Sequence, residues 1–364
     1  MENGMIDVCS LTMGELEQMA TNLGEQRFRG RQVFSWLHGK RASSFDSMTN
    51  LPAALRSRLG SSCTIARALI LDSPVSYSGY EEQYDADGQS HVKKDNFRAK
   101  KYLLEVGKNT IIESVLMRYD YGDTLCISTQ AGCRMGCVFC ASSLNGLERN
   151  LEPGEMSAQL YAVMEDTGIR VSNIVLMGCG EPFDNFENIV KFLENTTNEE
   201  GFGLSQRGIT VSTCGIAPRI RDFARLKKAY GLAVSLHAPN DDARREIMPV
   251  ARAYSLAELM SACDEYTSLT NRRISYEYAM IHNNNDSTEQ AHELGTLLRG
   301  RLAHVNLIPL NSVQERGLVS GSRKRLDEFI KILKTYGVTA TPRVNLGQDI
   351  NAACGQLRAK WASR

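Results

Sequence analysis

The residues with the clearest chemical potential are three cysteines, Cys133, Cys137 and Cys140, which are spaced as CxxxCxxC. A closed zinc site normally takes four tetrahedral ligands, often from two separated pairs, and the sequence contains no second CxxC and no HxxxH. Three buried structural cysteines are another alternative, but a loop flanked by Gly132 and Gly136 is a poor place to bury them. Cysteine thiolates hold iron–sulfur clusters, and three thiolates on a four-iron cluster leave one iron open to a substrate. The spacing therefore favours an iron–sulfur cluster with one open iron.

Strands and helical patterns alternate after Thr124, and this alternation predicts the framework that positions the cysteines. Such a pattern implies βα units and a parallel sheet. The strand TLCISTQ precedes the cysteines, and the later strand candidates are SNIVLMG, GITVSTC, GLAVSLH, RISYEYAMI, AHVNLIPL and VTATPRV. The helical patterns between them include EMSAQLYAVMEDTG, NFENIVKFLE and RLDEFIKILKTYG. About six units favour a partial or full (β/α) barrel, in which chemistry takes place at the carboxyl ends of the strands.

Several residues lie at the ends of predicted strands or directly after them and so belong to the expected catalytic rim. The glycine-rich stretch MGCGEP, which contains Gly180 and Glu181, leaves one of these strands. Glycines at such a position permit close approach of the backbone to a ligand. The other rim candidates are Ser212, Ser235, Leu236, His237 and Asn311. For His237, a hydrogen-bonded histidine at a strand end is an equally good interpretation.

Three segments are predicted along the chain. Residues 1–73 carry helical periodicity, as in LTMGELEQMATNLG and RQVFSWLHGK, and are expected to form a small helical domain. Residues 74–100 are polar and lack periodicity, which is typical of a linker or surface loop. Residues 101–364 are expected to form the core, which begins with a β-hairpin around residues 107–109, continues as the barrel and ends in a C-terminal active-site loop.

The charge of the chain is balanced overall but not locally. The 42 Lys and Arg residues match 42 Asp and Glu residues, so composition alone gives no evidence for a nucleic-acid partner. Residues 27–58 contain seven Lys or Arg residues and one acid, Asp46, so seven minus one gives +6. A basic patch of this kind is typical of RNA-binding surfaces and also of solvated helix surfaces. Charge alone leaves both interpretations open.

Cysteine usage and hydropathy predict the compartment. Ten cysteines in a long chain are more typical of metal binding or reactivity in a reducing compartment than of a disulfide scaffold. The N-terminal MENGMIDVCS does not resemble a secretory signal, and no segment approaches the roughly 18 apolar residues of a membrane helix. We therefore expect a cytoplasmic protein without a membrane partner.

The motifs together resemble a known enzyme family. The CxxxCxxC loop, with an aromatic residue before its last cysteine, resembles the signature of radical S-adenosylmethionine (SAM) enzymes, and MGCGEP resembles their GxGEP segment. Further strings resemble the RlmN/Cfr family of adenine methyltransferases across nearly the whole chain. These strings are RGRQVFSWLH, ESVLMRY, CRMGCVFCASS, RNL, MGCGEP, VSTCGI, SLHAPND, VNLIPLN and DINAACGQL.

The resemblance implies cofactors and a role for each matching residue. Cys133, Cys137 and Cys140 would hold one [4Fe-4S] cluster, whose open iron chelates SAM. The residues implied to bind SAM, two molecules of which are used per turnover, are Gly180, Glu181, Ser212, Ser235, Leu236, His237 and Asn311. Cys354 would be the cysteine that becomes S-methylated, Cys126 the resolving cysteine and Glu113 the proton acceptor. The cysteines without a family role, interpreted as structural, are Cys9, Cys63, Cys179, Cys214 and Cys263.

The same resemblance implies a substrate and partners. The expected reaction is methylation of carbon 2 of an adenine in 23S ribosomal RNA, and transfer RNA is a second candidate substrate. An electron donor such as flavodoxin or ferredoxin is expected, and Arg27, Arg29 and Arg31 are candidate RNA contacts. Cfr-type methylation at carbon 8 is the nearest alternative, and a non-catalytic RNA-binding protein with a zinc site is a distant one. The long 74–100 segment and the sequence NLGQD before the last motif depart from the family pattern.

Overall fold

The computed structural model describes residues 5–77, 97–311, 317–343, 346–352 and 356–357. The N-terminal part is mainly helical, as predicted, with its own apolar core around Phe34, Leu37 and Leu55. It also contains a short parallel pair of strands that the sequence did not predict, β1 and β2. Its elements are β1 (Ile6–Asp7), α1 (Met13–Asn22), α2 (Phe28–Phe34), a π-helical turn (Ser35–Gly39), α3 (Ala53–Ser62) and β2 (Cys63–Thr64).

Capping and a close helix crossing fix the fold of this part. Thr12 and Glu15 form a reciprocal capping box at the start of α1. A Cβ atom on Gly30 would lie 2.4 Å from the backbone nitrogen of Glu17, so only glycine lets α2 approach α1 this closely. Side chains also tie this part to the rest of the protein, because Lys191 reaches Glu15 at 2.6 Å and the His38 ring contacts the Tyr161 hydroxyl at 2.8 Å.

An antiparallel extension precedes the barrel strands. It consists of β3 (Leu69–Asp72), β4 (Val75–Ser76), β5 (Ala99–Val106) and β6 (Thr110–Tyr119). The hairpin predicted around residues 107–109 is present, and Lys108 and Asn109 both have positive φ, as the tightest hairpin turns require. Part of the predicted linker is strand, since β4 pairs with β5, and residues 78–96 lie outside the described residues. The domain limits at 73 and 100 stay predictions.

Seven parallel strands follow and form the partial barrel that the alternation predicted. Their order is β15-β14-β13-β12-β11-β10-β7, and β6, β5 and β3 continue the same sheet beyond β7. The strands are β7 (Gly122–Cys126), β10 (Asn173–Leu176), β11 (Ile209–Thr213), β12 (Gly231–Ser235), β13 (Ile274–Met280), β14 (Ala303–Pro309) and β15 (Thr339–Pro342). Among the described residues, β15 pairs only with β14, so the barrel is not closed there.

Helices cover the outside of this sheet. They are α4 (Pro153–Thr167), α5 (Phe186–Thr197), α6 (Ala217–Arg225), α7 (Asp241–Ile247), α8 (Leu256–Thr270), α9 (Thr288–Leu298) and α10 (Arg323–Thr335). The main apolar core lies between sheet and helices and includes Leu125, Phe183, Phe223 and Tyr278. The apolar periodicity of α4, α5 and α10 was therefore a correct guide to their buried faces.

The first predicted barrel strand is shorter than its apolar pattern suggested. TLCISTQ was expected to be one strand, but β7 ends at Cys126, and the chain then forms β8 (Gln130–Gly132), which pairs with β9 (Leu147–Asn150). The change follows from Ser128, whose backbone N–H donates to the Gln159 side chain at 2.9 Å and whose hydroxyl donates to the Glu113 carbonyl at 2.6 Å. Because of these bonds, the chain stops pairing with the neighbouring strands of the sheet immediately before the cysteine loop.

Candidate active site

The cysteine loop lies between β8 and β9. Gly132 has φ of 77°, and a Cβ atom on it would lie 2.0 Å from the Gly146 carbonyl oxygen, so this position requires glycine. The Cys133 N–H donates to that carbonyl at 2.8 Å, and the Val138 N–H donates to the Ile247 carbonyl at 3.0 Å. The loop is thereby fixed at both ends, against β9 and against the end of α7.

The loop forms one wall of a cavity of about 920 Å³ at the carboxyl ends of the barrel strands. The sequence-predicted residues that line this cavity are Cys133, Cys137, Cys140, Gly180, Glu181, Ser212, Ser235, His237 and Asn311. Leu236 is the exception, because its side chain is fully buried in the main core. Its backbone still lies at the rim, where its N–H donates to the Glu277 carbonyl at 3.1 Å. One site thus gathers residues from the cysteine loop and from four strand ends.

The glycine-rich stretch after β10 packs tightly against the chain that follows β7. A Cβ atom on Gly178 would lie 2.5 Å from the Ile127 carbonyl oxygen, and one on Gly180 would lie 2.7 Å from the Gln130 side chain. The Glu181 carboxylate is buried and accepts hydrogen bonds from the Phe183 N–H at 3.0 Å and the Cys214 N–H at 2.7 Å. Burial raises the pKa of Glu181 and these hydrogen bonds oppose the rise. The carboxylate therefore joins two rim loops in addition to lining the cavity.

His237 is held as a neutral imidazole at the rim. Its Nδ1 accepts a hydrogen bond from the Ala279 N–H at 2.9 Å, which assigns the ring proton to Nε2. Burial, together with the charge of Arg244, lowers the pKa of His237 to about 3. The ring lies edge-on to Phe139, with centroids 4.5 Å apart, so it also supports the cysteine loop. His237 is therefore both a hydrogen-bonded histidine at a strand end and a residue that lines the cavity.

The cavity also contains charged residues that the sequence analysis missed. Glu277 in β13 accepts a hydrogen bond from the Asn306 amide at 2.8 Å and pairs with Arg343 at 3.1 Å. Glu277 is buried, and both Glu277 and Arg343 line the cavity. A glutamate in the middle of the otherwise apolar strand RISYEYAMI was the available signal, since a buried charge in a strand needs a partner.

Glu113, the predicted proton acceptor, does not line this cavity and lies on the β5–β6 hairpin. Glu113 is buried and pairs with Lys101 of β5 at 2.6 Å. The Lys101 ammonium also donates to the Asn351 carbonyl at 3.2 Å. Lys101 thus connects the predicted proton acceptor to the C-terminal segment, a role that the sequence analysis did not identify.

Cys126 lies at the carboxyl end of β7, in an apolar cluster with Val115, Ala352 and Leu357. Cys354, the predicted S-methylated residue, lies outside the described residues. Ala352 and Leu357, which flank residues 353–355, both pack in the cluster that contains Cys126. The chain on both sides of Cys354 is therefore anchored beside Cys126.

Comparison with known proteins decides the family. Residues 6–65 match the family described as ribosomal RNA large subunit methyltransferase N-terminal domain, and residues 127–295 match the radical SAM superfamily. A protein of Pelotomaculum thermopropionicum named "Probable dual-specificity RNA methyltransferase RlmN" is 48% identical over 98% of this chain and 92% of its own length. A protein of the same name from Alkaliphilus oremlandii is 46% identical over 98% of both chains. The chain belongs to the RlmN family.

A solved structure supports the same conclusion for the fold. A radical SAM methyltransferase from Sphaerobacter thermophilus superposes with a TM-score of 0.86 at 40% identity, over 98% of this chain and 100% of that chain. The predicted fold class, a partial barrel of the radical SAM type with a small N-terminal helical part, is confirmed. The predicted enzyme class, a SAM-dependent methyltransferase, is confirmed as well.

Radical SAM enzymes use a [4Fe-4S] cluster and SAM, and the donor set of this cavity fits both. Three thiols of one short loop face a cavity whose other walls carry hydroxyl, imidazole and amide groups, which suit the polar parts of SAM. Burial raises the pKa of Cys133 to about 12 and also raises the pKa of Cys137. Binding of the cluster must therefore displace thiol protons. Cys214, interpreted as structural from sequence, lines the same cavity.

The N-terminal arginines differ from the simple basic patch that the sequence suggested. Arg27 and Arg31 both bond the Glu17 carboxylate at 2.5 Å, and these two bonds lower the pKa of Glu17. Arg29 donates to the Asn50 carbonyl at 3.0 Å. The charge count over residues 27–58 omitted Glu17 because it belongs to α1. Two of the three proposed RNA contacts are therefore also ion-pair partners within the fold.

Within the part of the chain that the structure describes, no helix is both long enough and apolar enough to cross a membrane.

Proposed function

We propose that this protein methylates carbon 2 of an adenine in 23S ribosomal RNA, with transfer RNA as a second substrate class, through S-methylation of Cys354 and a transient disulfide with Cys126. The observation that carries the proposal is the pairing of two separate sites in one chain. The first is the three-thiol cavity, and the second is the Cys126 cluster, which anchors both flanks of Cys354. The relatives named as dual-specificity RNA methyltransferases match both regions.

The chemistry of the substrate explains why both sites are needed. A ring carbon between two nitrogens is electron-poor, so it does not attack the electrophilic methyl group of SAM. When bound, the cluster and SAM supply the methyl group and a carbon-centred radical. The protein's own contribution is to hold SAM with the cavity residues and to present Cys354 as the acceptor of the methyl group. Cys133, Cys137 and Cys140 are the residues that would hold the cluster.

Release of the product depends on Cys126 and Glu113. Joining Cys354 to the adenine through its methyl carbon removes one hydrogen atom from the methyl group and one electron from the adduct, and both would be taken up by the bound cofactors. Glu113 then accepts the proton lost from the ring carbon. The Cys126 thiolate attacks the Cys354 sulfur, so a sulfur–sulfur bond forms and the sulfur–carbon bond breaks, and the electron pair stays on the released carbon, which takes up a proton to complete the methyl group. The disulfide must be reduced before another turnover, and this step is ordinary thiol–disulfide exchange. An electron donor of the flavodoxin or ferredoxin class is expected to reduce the cluster.

The proton-acceptor role of Glu113 makes a specific prediction. Glu113→Gln should slow methyl transfer to RNA by about 100-fold, the usual contribution of a positioned base, while SAM cleavage and iron content stay unchanged because Glu113 lies outside the cavity. Lys101→Met should slow transfer in the same direction, since it removes the partner of this buried carboxylate. Single-turnover assays with quenched time points measure both effects. Glu105→Gln, on the same hairpin, is the matched control, and a normal transfer rate in Glu113→Gln would remove Glu113 from the mechanism.

RNA binding is best supported by a cleft between the N-terminal helices and the core. The cleft has a volume of about 1010 Å³, and its cationic lining residues are Lys40, Arg41 and Arg67. Lys40 stacks over Trp36 at 3.7 Å, while Arg41 is exposed and makes no ion pair with the described residues. Within the described part of the chain, these three cations, unlike Arg27 and Arg31, have no carboxylate partner closer than the 4.0 Å contact of Arg67 with Glu165. Phosphate contacts of this kind supply affinity without reading sequence.

The double variant Lys40→Ala with Arg41→Ala tests this surface. It should bind RNA more weakly and reduce the slope of log affinity against log salt by about 1.4 to 1.8, the value for two lost phosphate contacts. Filter-binding titrations at several salt concentrations measure the slope. The control is the double variant Lys228→Ala with Lys331→Ala, which removes two exposed charges from the surface of the barrel part and should leave the slope unchanged. Equal slopes for the two double variants would show that the cleft does not contact the RNA backbone.

Analysis of the product distinguishes carbon 2 from carbon 8. The anaerobically reconstituted protein, supplied with SAM, a reductant and unmodified ribosomal or transfer RNA, should yield 2-methyladenosine after nuclease digestion. The two methyladenosines have the same mass, so chromatography against standards must separate them before mass spectrometry. 8-Methyladenosine as the product would replace the proposal by the Cfr-type alternative. Absence of any methylated adenine with an intact cluster would refute the substrate assignment.

A further inference from the structure

Arg244, in α7, is the most deeply buried charged side chain near the active site, with an exposed fraction of 0%. Its guanidinium donates to three backbone carbonyls, those of Cys214 at 2.6 Å, Leu236 at 3.2 Å and Ser235 at 3.3 Å. Nη1 is buried and makes no hydrogen bond to the residues that the structure describes. Among the described residues Arg244 has no ion pair within 4.0 Å; the Asp241 carboxylate, which acts on its charge from farther away, accepts the Leu256 N–H at 2.8 Å. A buried cation without a countercharge is costly, so it needs a reason.

The charge of Arg244 is placed directly behind the cysteine loop. The Ile247 carbonyl at the end of α7 accepts the Val138 N–H at 3.0 Å, and Ile247 packs in one apolar cluster with Cys137 and Cys214. The Cys214 carbonyl accepts a hydrogen bond from Arg244 at 2.6 Å, and Cys214 lines the cavity together with Cys137, so the charge of Arg244 lies behind this wall and acts on both thiols. Arg244 does not line the cavity, so it is not placed to bind SAM.

We propose that Arg244 is a positioning residue whose buried positive charge compensates the negative charge of the thiolate-bound iron–sulfur cluster and raises its reduction potential. This inference rests on the proposed function only in requiring that the cluster is bound. Three thiolates bring three negative charges to the loop, and reduction adds one electron without a proton. A buried cation beside the cysteine loop stabilises the more negative reduced form, and we expect its effect on the equilibrium to be at least about tenfold.

The proposal is tested with the variants R244M and R244K of the reconstituted holoenzyme. For each variant, the iron content and the melting temperature are measured. The midpoint potential of the cluster is measured by an anaerobic redox titration followed by electron paramagnetic resonance. Methionine fills a similar space without charge, whereas lysine keeps the charge but loses the fork that bonds the carbonyls. R244M should make the one-electron reduction at least about tenfold less favourable, which shifts the midpoint by about 59 mV to a more negative potential. R244K should melt at a lower temperature but keep a midpoint close to that of the wild type.

The outcomes distinguish an effect of the Arg244 charge on the cluster from a structural role of Arg244 in bonding backbone carbonyls. If R244M keeps the wild-type midpoint, or if R244K shifts as far as R244M, Arg244 acts only by bonding carbonyls and the proposal is wrong. If R244M does not fold, R244Q takes its place, because glutamine is neutral but can still donate to a carbonyl. A midpoint in R244Q that is more negative than in R244K supports the proposal, and equal midpoints in the two variants overturn it. A wild-type protein that binds no four-iron cluster would overturn the proposed function as well, whereas a normal wild-type cluster with an unmoved midpoint in R244M overturns this inference alone.

Discussion

Cys126→Ala is expected to accumulate a covalent complex between the protein and its RNA substrate, whereas Cys354→Ala is expected to form none. The two cysteines act at different stages of the proposed reaction. Without Cys354 there is no residue to receive the methyl group, so neither methylated RNA nor an adduct should form. Without Cys126 the methyl group is still loaded and still joined to the adenine, but the thiolate that releases the product is missing.

The structure makes Cys126→Ala a clean variant. Cys126 is buried in an apolar cluster with Val115 and Ala352, so alanine removes one sulfur atom and no charged or bridging group of the proposed cluster site. The cost in stability of such a small truncation should be on the order of 1 kcal/mol. The matched control is Cys263→Ala, which truncates a fully buried cysteine of α8 in the main core. That control should turn over normally and show no adduct.

Denaturing electrophoresis provides the measurement. Protein that carries RNA migrates as a separate band, and nuclease digestion should leave a mass of nucleotide size on the peptide that contains Cys354. Close to one adduct per active protein is expected for Cys126→Ala. Normal turnover by Cys126→Ala, or loss of activity in both cysteine variants without an adduct, would show that the assigned roles of Cys126 and Cys354 are wrong even with an intact cluster.

The rim of the barrel could be predicted from the sequence because it depends on local pattern. Strand residues recur with period two, and in a parallel barrel every strand ends at the same edge, so Ser212, Ser235 and His237 could be placed together without coordinates. The same logic failed at TLCISTQ. There the strand ends early because Ser128 bonds Gln159, a residue 31 positions away that no local pattern reveals.

The features that sequence reasoning missed are ion pairs and buried charges that depend on how separate elements pack. Glu17 can pair with both Arg27 and Arg31 because Gly30 lets α1 and α2 cross closely. Glu277 and Arg343 meet across two parallel strands, 66 positions apart. Because of the pairing with Glu17, we propose the RNA contact at the cleft that contains Lys40 and Arg41 and not at Arg27 and Arg31.

Replacing a cluster cysteine should have the second largest effect. The wild-type protein purified without oxygen should be brown and contain about four irons, since three thiolates hold a four-iron cluster. Cys133→Ala, Cys137→Ala or Cys140→Ala should each lose the colour, SAM cleavage and RNA methylation together. Iron analysis, absorbance and the yield of 5′-deoxyadenosine measure the three losses.

Cys214→Ala distinguishes a three-cysteine cluster from a four-thiolate metal site. Cys214 lines the same cavity as the three loop cysteines, and its buried thiol interacts electrostatically with those of Cys137 and Cys133, so a closed tetrahedral site would be able to recruit it. An iron–sulfur cluster with one open iron does not need this fourth thiol. Cys214→Ala should therefore keep about four irons and its brown colour. Loss of metal in Cys214→Ala equal to that in Cys137→Ala, or bound zinc without iron in the wild-type protein, would contradict the central assignment.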